Sequence, residues 1–244
     1  VLSATAASAA FGLNGPLEFI GLAQAQAYAN AKLIDKGFYK FKVGDVEVTQ
    51  IYDGIWNRAF EDNFVKNAQP DQVKAALKVG GLADNIIPIP FTITVVKMKG
   101  KYVMFDSGTG GQVQSTAGLM AAKNMKAAGI DPAKIETIIV THFHPDHIFG
   151  LMAKDTNAQT YPNATIYLPK PELAWWTGSS VPQPAQGISN RVKATFPGWK
   201  NVQQIDGDKE VVGGVRSIAT PGHTPGHTSY LIGSGKQQLM VLGD

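Results

Sequence analysis

Between Thr141 and His147 the chain reads Thr-His-Phe-His-Pro-Asp-His, and four of these seven residues, His142, His144, Asp146 and His147, can ligate a metal. The chain holds five histidines, and the other two, His223 and His227, fall in the run Thr220 to Thr228, which reads Thr-Pro-Gly-His-Thr-Pro-Gly-His-Thr. A single histidine is ordinarily explained as a core residue with one backbone partner. That explanation does not account for five imidazoles confined to two short stretches. Imidazole together with carboxylate suits zinc, and also iron, manganese or cobalt. Proline and glycine bracket both His223 and His227, fixing the loop backbone while the rings face one point.

Further carboxylates stand where strands are expected to end. Lys101 to Phe105 reads as a strand running into Asp106-Ser-Gly-Thr-Gly-Gly111, and Leu239 to Leu242 as a strand delivering Gly243 and Asp244. Asp106 is read equally as an ordinary turn aspartate or as a buttress for a neighbouring metal loop. The organising run itself follows Thr-Ile-Ile-Val at Thr137 to Val140, a short β-branched stretch of the kind buried in a sheet.

The elements that must position these groups follow from periodicity. Tyr39 to Val43 and Val46 to Ile51 alternate around Gly44-Asp45 and predict a hairpin; Phe91 to Lys97 and Lys101 to Phe105 predict a second. Pro70 opens a helix that Gly80-Gly81 closes, and Ser115 to Ala128 is expected to be a helix stopped by Gly129. Thr165 to Leu168 predicts a strand, followed by a helix from Pro171 that carries Trp175 and Trp176. Two prolines in Thr177 to Gln186 predict a mobile surface loop or lid. Five short runs from Val202 to Leu242 are expected to build a second sheet. Strands interleaved with helices and loops argue for α/β layers rather than a β-sandwich.

With 244 residues, 44% hydrophobic and 17% charged, the chain has an ordinary composition for a folded domain with a substantial core. A net charge of +3 with scattered lysines and arginines gives no basic stripe, so nucleic acid is not the expected substrate. Cysteine is absent, which removes disulfides and thiol chemistry together. Residues 1–27 carry no charge before Glu18 and contain small-x-small steps such as Ala23-Gln-Ala25, as in the remnant of an export signal; a periplasmic or secreted location is the expectation. Gly12, Gly15 and Pro16 argue against a membrane span there. Residues 28–244 are then the working domain.

Asp106, the His142-x-His144-x-Asp146-His147 run, the Gly222-His-Thr-Pro-Gly-His227 run and Gly243-Asp244 together resemble the metallo-β-lactamase superfamily, in order and in strand context. Phe38 to Gly54 and the second histidine run are most similar to its branch of methyl parathion hydrolases and lactonases. The resemblance implies an αββα sandwich holding two divalent metal ions, zinc first among them. It places His142, His144 and His223 on one ion, Asp146 and His147 on the other, Asp244 between them, and Asp106 and His227 behind the ligands. It also implies a hydroxide shared by the two ions that cleaves a lactone or an organophosphate triester, with Asp146 or Asp244 moving the proton. Trp176 and Phe149 are expected to wall the pocket for a small, neutral, apolar substrate, whereas Phe143 and Trp175 are expected in the core. The protein is expected to act alone or as a homodimer.

The family supplies one more histidine from beyond the bridging aspartate, together with further strand and helices. The chain stops at Asp244, so the expectation is a sandwich truncated in its C-terminal half. A thioesterase, sulfatase or β-lactamase of the same superfamily would share every ligand, and a noncatalytic metal-binding scaffold is the alternative of a different class.

Overall fold

A computed structural model of the chain describes residues 36–113, 117–234 and 236–244. The expected export remnant, and the first residues of the helix expected from Ser115, lie outside them. Eleven strands form two sheets among the described residues. The first runs in sequence order from β1 (Phe38–Val43) through β2 (Val46–Ala59), β3 (Ile86–Met98), β4 (Lys101–Phe105), β5 (Ile135–Ile139) and β6 (Thr165–Pro169) to β7 (Val202–Ile205). Strands β1 to β4 pair antiparallel, and β4 to β7 parallel. The second sheet has the order β11 (Gln237–Val241), β10 (Thr228–Ser234), β9 (Val215–Ala219), β8 (Glu210–Val212) and is antiparallel.

Side-chain alternation along the first sheet explains the layers. Val95, Met104, Ile138 and Val140 point to one core; Val96, Val103, Phe105 and Ile139 point to another. Both faces of these strands are covered, which is why the carboxyl ends of β4 (Val103 to Phe105) and β5 (Ile138 and Ile139) read as continuous apolar runs rather than alternating ones. The first core is closed by helices α2 (Ala121–Ala127), α3 (Pro145–Ile148), α4 (Lys170–Thr177) and α5 (Gln186–Thr195), through Met125, Ile148, Trp176 and Val192. The second core is closed by Val215, Tyr230 and Ile232 of the second sheet. Helix α1 (Pro70–Val79) buries no residue and lies apart from both cores. The described residues thus make three layers, helix on sheet on sheet, of the expected four. Among them no helix is long and apolar enough to cross a membrane.

Several sequence expectations are corrected. Strand β7 pairs parallel with β6 and belongs to the first sheet. Helix α2 begins only at Ala121, because Met120 and Ala121 donate their backbone N–H groups to the Asp53 carboxylate. In the run 177–186, Ser179, Ser180 and Pro182 to Pro184 are exposed, as expected of a surface loop, while Val181 is buried and its carbonyl accepts from the Gln186 side chain.

Candidate metal centre

Parallel strands deliver ligands at their carboxyl ends, where backbone leaves the sheet and side chains gather above it. Asp106 follows β4, and Thr141 and His142 follow the neighbouring β5. Asp106 is in the left-handed region, with φ of 58°. Its Oδ1 accepts from the Thr141 N–H at 2.7 Å and its Oδ2 from the Thr141 hydroxyl at 2.8 Å, so the two strand ends are locked together. Pro145 starts α3 immediately after His144, leaving that ring free to face the site, and the short helix carries Asp146 and His147.

The second sheet supplies the rest. The turn between β9 and β10 carries His223 and His227, and it is tied to the first sheet by Thr228 N–H donating to the Thr141 carbonyl at 3.1 Å. Tyr230, fully buried, donates its hydroxyl to the Val140 carbonyl at 2.7 Å. Gly243, at φ of 74°, turns the chain after β11 and presents Asp244; a Cβ there would stand 2.5 Å from His227 Nε2.

His142 Nε2 lies 3.1 Å from His144 Nδ1, which lies 2.9 Å from His223 Nε2. The ligand atoms of these three histidines all fall within 4.8 Å of one another, as do those of His142, His147 and Asp244. Asp244 stands at the seam: Oδ1 is 3.3 Å from His147 Nε2 and Oδ2 is 3.5 Å from His223 Nε2. Asp146 adds a carboxylate oxygen 3.5 Å from His147 Nε2.

The hydrogen bonds around the rings select the tautomers that leave lone pairs facing inward. Thr141 gives its one hydroxyl proton to Asp106, so His142 Nδ1, 3.0 Å from that oxygen, must donate, and His142 Nε2 keeps its lone pair. His147 Nδ1 is 2.8 Å from Asp106 Oδ2, which likewise turns Nε2 toward Asp146 and Asp244. His227 has both nitrogens engaged: Nδ1 with the Thr220 hydroxyl at 2.8 Å, and Nε2 accepting from the Asp244 N–H at 3.2 Å. It therefore sits outside both donor groups, positioning Asp244.

Electrostatics point the same way. Burial, then the neighbouring imidazoles, push His142 far below the ordinary histidine range, and burial followed by His223 lowers both His144 and His227. Burial also acts to lower His147, but the carboxylates of Asp106, Asp146 and Asp244 outweigh it and raise the ring well above its usual value. Hydrogen bonding from His147 holds Asp244 below the usual carboxylate range; Asp146 is lowered by the same ring despite its burial. Three imidazole nitrogens converging at about hydrogen-bond distance, with carboxylates beside them, are a donor set whose lone pairs are satisfied by a cation. The residues fit divalent metal.

A family model described as the metallo-beta-lactamase superfamily matches residues 92–244, more than half of the chain. The chain belongs to that superfamily. An N-acyl homoserine lactonase of Bacillus cereus is 33% identical over 118 residues, which are 48% of this chain and 41% of that enzyme. The probable metallo-hydrolase YflN of Bacillus subtilis (strain 168) is 28% identical over 183 residues, 70% of this chain and 65% of the relative. The chain thus spans less than half the length of the lactonase it matches. Among solved structures, AidC, a dizinc quorum-quenching lactonase in complex with a product, superposes with a TM-score of 0.75 at 29% identity, covering 84% of this chain and 73% of AidC. The hydrolase AbOPH gives a TM-score of 0.75 at 26% identity, covering 85% and 74%.

In this superfamily member a cleft of about 490 Å³ opens onto Asp146, His147 and Asp244, and its apolar walls include Ile89, Phe91, Leu239 and Leu242. Trp176 and Phe149, expected to wall the pocket, are not among the residues lining this cleft. Trp176 is only 1% exposed, with its ring edge-on to His144 at 6.2 Å and its indole N–H bonded to Glu172. Phe149 packs on the first core and is capped by the Arg191 guanidinium, 4.4 Å from its ring centre. Phe143 is fully buried, as expected.

Proposed function

We propose that this chain forms the metal centre of a hydrolase that opens a lactone ring, and that it does so with two divalent ions. The observation that carries the reading is the Asp244 carboxylate, which offers one oxygen to the side of His223 and the other to the side of His147. A carboxylate so placed suits a bridge between two cations. Two ions there would supply Lewis acidity toward a carbonyl or phosphoryl oxygen and depress the pKa of a water shared between them. This chain's own residues would do the rest. Asp106 and Thr141 fix the ring orientations, and the apolar cleft walls exclude bulk water from the reacting face. Asp146, which belongs to neither tight donor group, is the carboxylate available to hold the proton released by water and return it to the leaving oxygen.

The cleft also discriminates among substrates. Among the described residues its charged lining consists of Asp106, Asp146, His147 and Asp244. A β-lactam or a glutathione thioester carries a carboxylate that would need a cationic partner at the mouth. A neutral lactone with an apolar tail does not, and similarity to lactonases supports that class. A neutral phosphotriester satisfies the same cleft and is the second reading.

The test is a panel assay on the zinc-loaded full-length protein, comparing an N-acyl homoserine lactone, a neutral phosphotriester, a penicillin and a glutathione thioester. Turnover of the lactone, with about two zinc ions per chain and loss of both in His142→Ala or His223→Ala, is the expected result. Turnover confined to the anionic substrates would sink the assignment, as would one tightly held ion per chain.

A further inference from the structure

Glu172 is fully buried on α4, and no lysine or arginine pairs with it among the described residues. A buried carboxylate is costly unless its lone pairs are satisfied. Three N–H groups satisfy this one. Its Oε1 accepts from the Phe143 backbone N–H at 2.9 Å and from the Trp176 indole N–H at 2.8 Å; its Oε2 accepts from the Gly226 backbone N–H at 2.8 Å.

The sequence positions of those donors matter more than their number. Phe143 lies between His142 and His144, and Gly226 lies between His223 and His227. One carboxylate therefore grips both histidine loops, one from each sheet, at the place where His144 Nδ1 and His223 Nε2 come to 2.9 Å. The approach is close enough that a Cβ on Gly226 would stand 2.0 Å from the Glu172 backbone nitrogen. Trp176, one helical turn on from Glu172, fixes the carboxylate's orientation from its own helix.

We propose that Glu172 is a positioning residue that clasps the two histidine loops and so sets the spacing of the His142, His144 and His223 donor group. The proposal rests on reading that group as a metal site. It does not extend to the His147, Asp146 and Asp244 side, which Asp106 holds independently.

All three partners are N–H donors, so Glu172→Gln gives a diagnostic result with no change of shape. The amide oxygen takes the place that accepts two donors, and the amide NH2 then faces the Gly226 N–H, donor against donor. The His223 loop is released while the His142 loop stays held. In the full-length protein, zinc affinity measured by competition with a chromophoric chelator is expected to fall about 10- to 100-fold for one ion. The other ion should keep its affinity within about two-fold. Amide exchange at Gly226 should accelerate, and kcat should fall with KM little changed, because Glu172 does not line the cleft.

Ser189→Ala is the control for helix docking, since its hydroxyl holds α4 through the Trp176 carbonyl at 2.6 Å without touching either loop. An equal loss in Ser189→Ala, or unchanged affinity for both ions in Glu172→Gln, overturns the clasp. Wild-type protein that binds no zinc through His142 overturns the metal reading instead. Should Glu172→Gln not fold, Glu172→Asp carries the same test, because it keeps the charge but is one methylene too short to reach both loops.

Discussion

Asp106 and His147 form a part-buried pair, Oδ2 to Nδ1 at 2.8 Å, and the same carboxylate holds the Thr141 backbone and hydroxyl. One side chain therefore sets the direction of two imidazoles, His147 directly and His142 through Thr141. Carboxylates in this relation to ligating histidines raise ligand basicity and fix ring orientation.

Asp106→Asn should accordingly weaken metal binding on the His147 side. An asparagine retains one acceptor oxygen for three donors and turns an NH2 on either Thr141 or His147. About 10- to 100-fold weaker binding of one ion is expected, with a similar loss in activity. Stepwise dialysis against chelator with metal analysis checks it: the variant should lose one ion at chelator concentrations at which the wild type keeps both.

Asp53 gives a prediction about pH that involves no ligand. The β2 register shifts between Tyr52 and Ile55, and this bulge turns the Asp53 side chain inward, where it is fully buried against Gly108. Its Oδ1 takes the Met120 and Ala121 N–H groups, but its Oδ2 has no hydrogen-bond partner. Burial raises its pKa to about 6 from 3.8, the two backbone hydrogen bonds opposing. Its charge adds to burial in pushing the Tyr161 hydroxyl up to about 12. A carboxyl raised on folding favours the folded state most below its unfolded pKa and loses that advantage as pH rises through the folded value. The loss is about 2 kcal/mol between pH 4 and pH 7. Relative to Asp53→Asn, wild-type stability in urea should therefore decline over that window. A difference between the two that does not change with pH would show that Asp53 does not titrate on folding.

The histidine runs were legible because their spacing is local: His142, His144, Asp146 and His147 lie on one turn after one strand. Asp106 was half legible, since its position at a strand end is visible but its partners are 35 and 41 residues away. Glu172 was not legible at all. A glutamate after Lys170-Pro171 reads as the polar first turn of a helix, and its burial follows from backbone N–H groups 29 residues before it and 54 after. The partner of Trp176 was hidden for the same reason, because its indole N–H donates to that buried carboxylate. The run 177–186 has the composition of a surface loop and exposes Ser179, Ser180 and Pro182 to Pro184, yet it tucks Val181 inside. Composition reports which backbone shapes are permitted there, and packing decides where they go.

Gly226→Ala tests the closest approach in the site. The glycine is required for space rather than for an unusual φ: an added Cβ would meet the Glu172 nitrogen at 2.0 Å, its Cα at 2.4 Å and the Pro171 carbonyl carbon at 2.6 Å. All three are backbone atoms at the start of α4 and cannot swing aside as a flexible side-chain tip would. Either the His223 loop or α4 must shift, at a cost of about 1 to 3 kcal/mol for overpacking of this kind. The loop is the softer of the two, since His223 is exposed and α4 is anchored in the first core by Trp176. The metal-free variant is therefore expected to melt a few degrees lower than the metal-free wild type, and the gap should widen when zinc is added, because the displaced His223 no longer completes its donor group. Thermal melts with and without zinc distinguish this from a simple packing defect, in which the gap would be the same in both conditions.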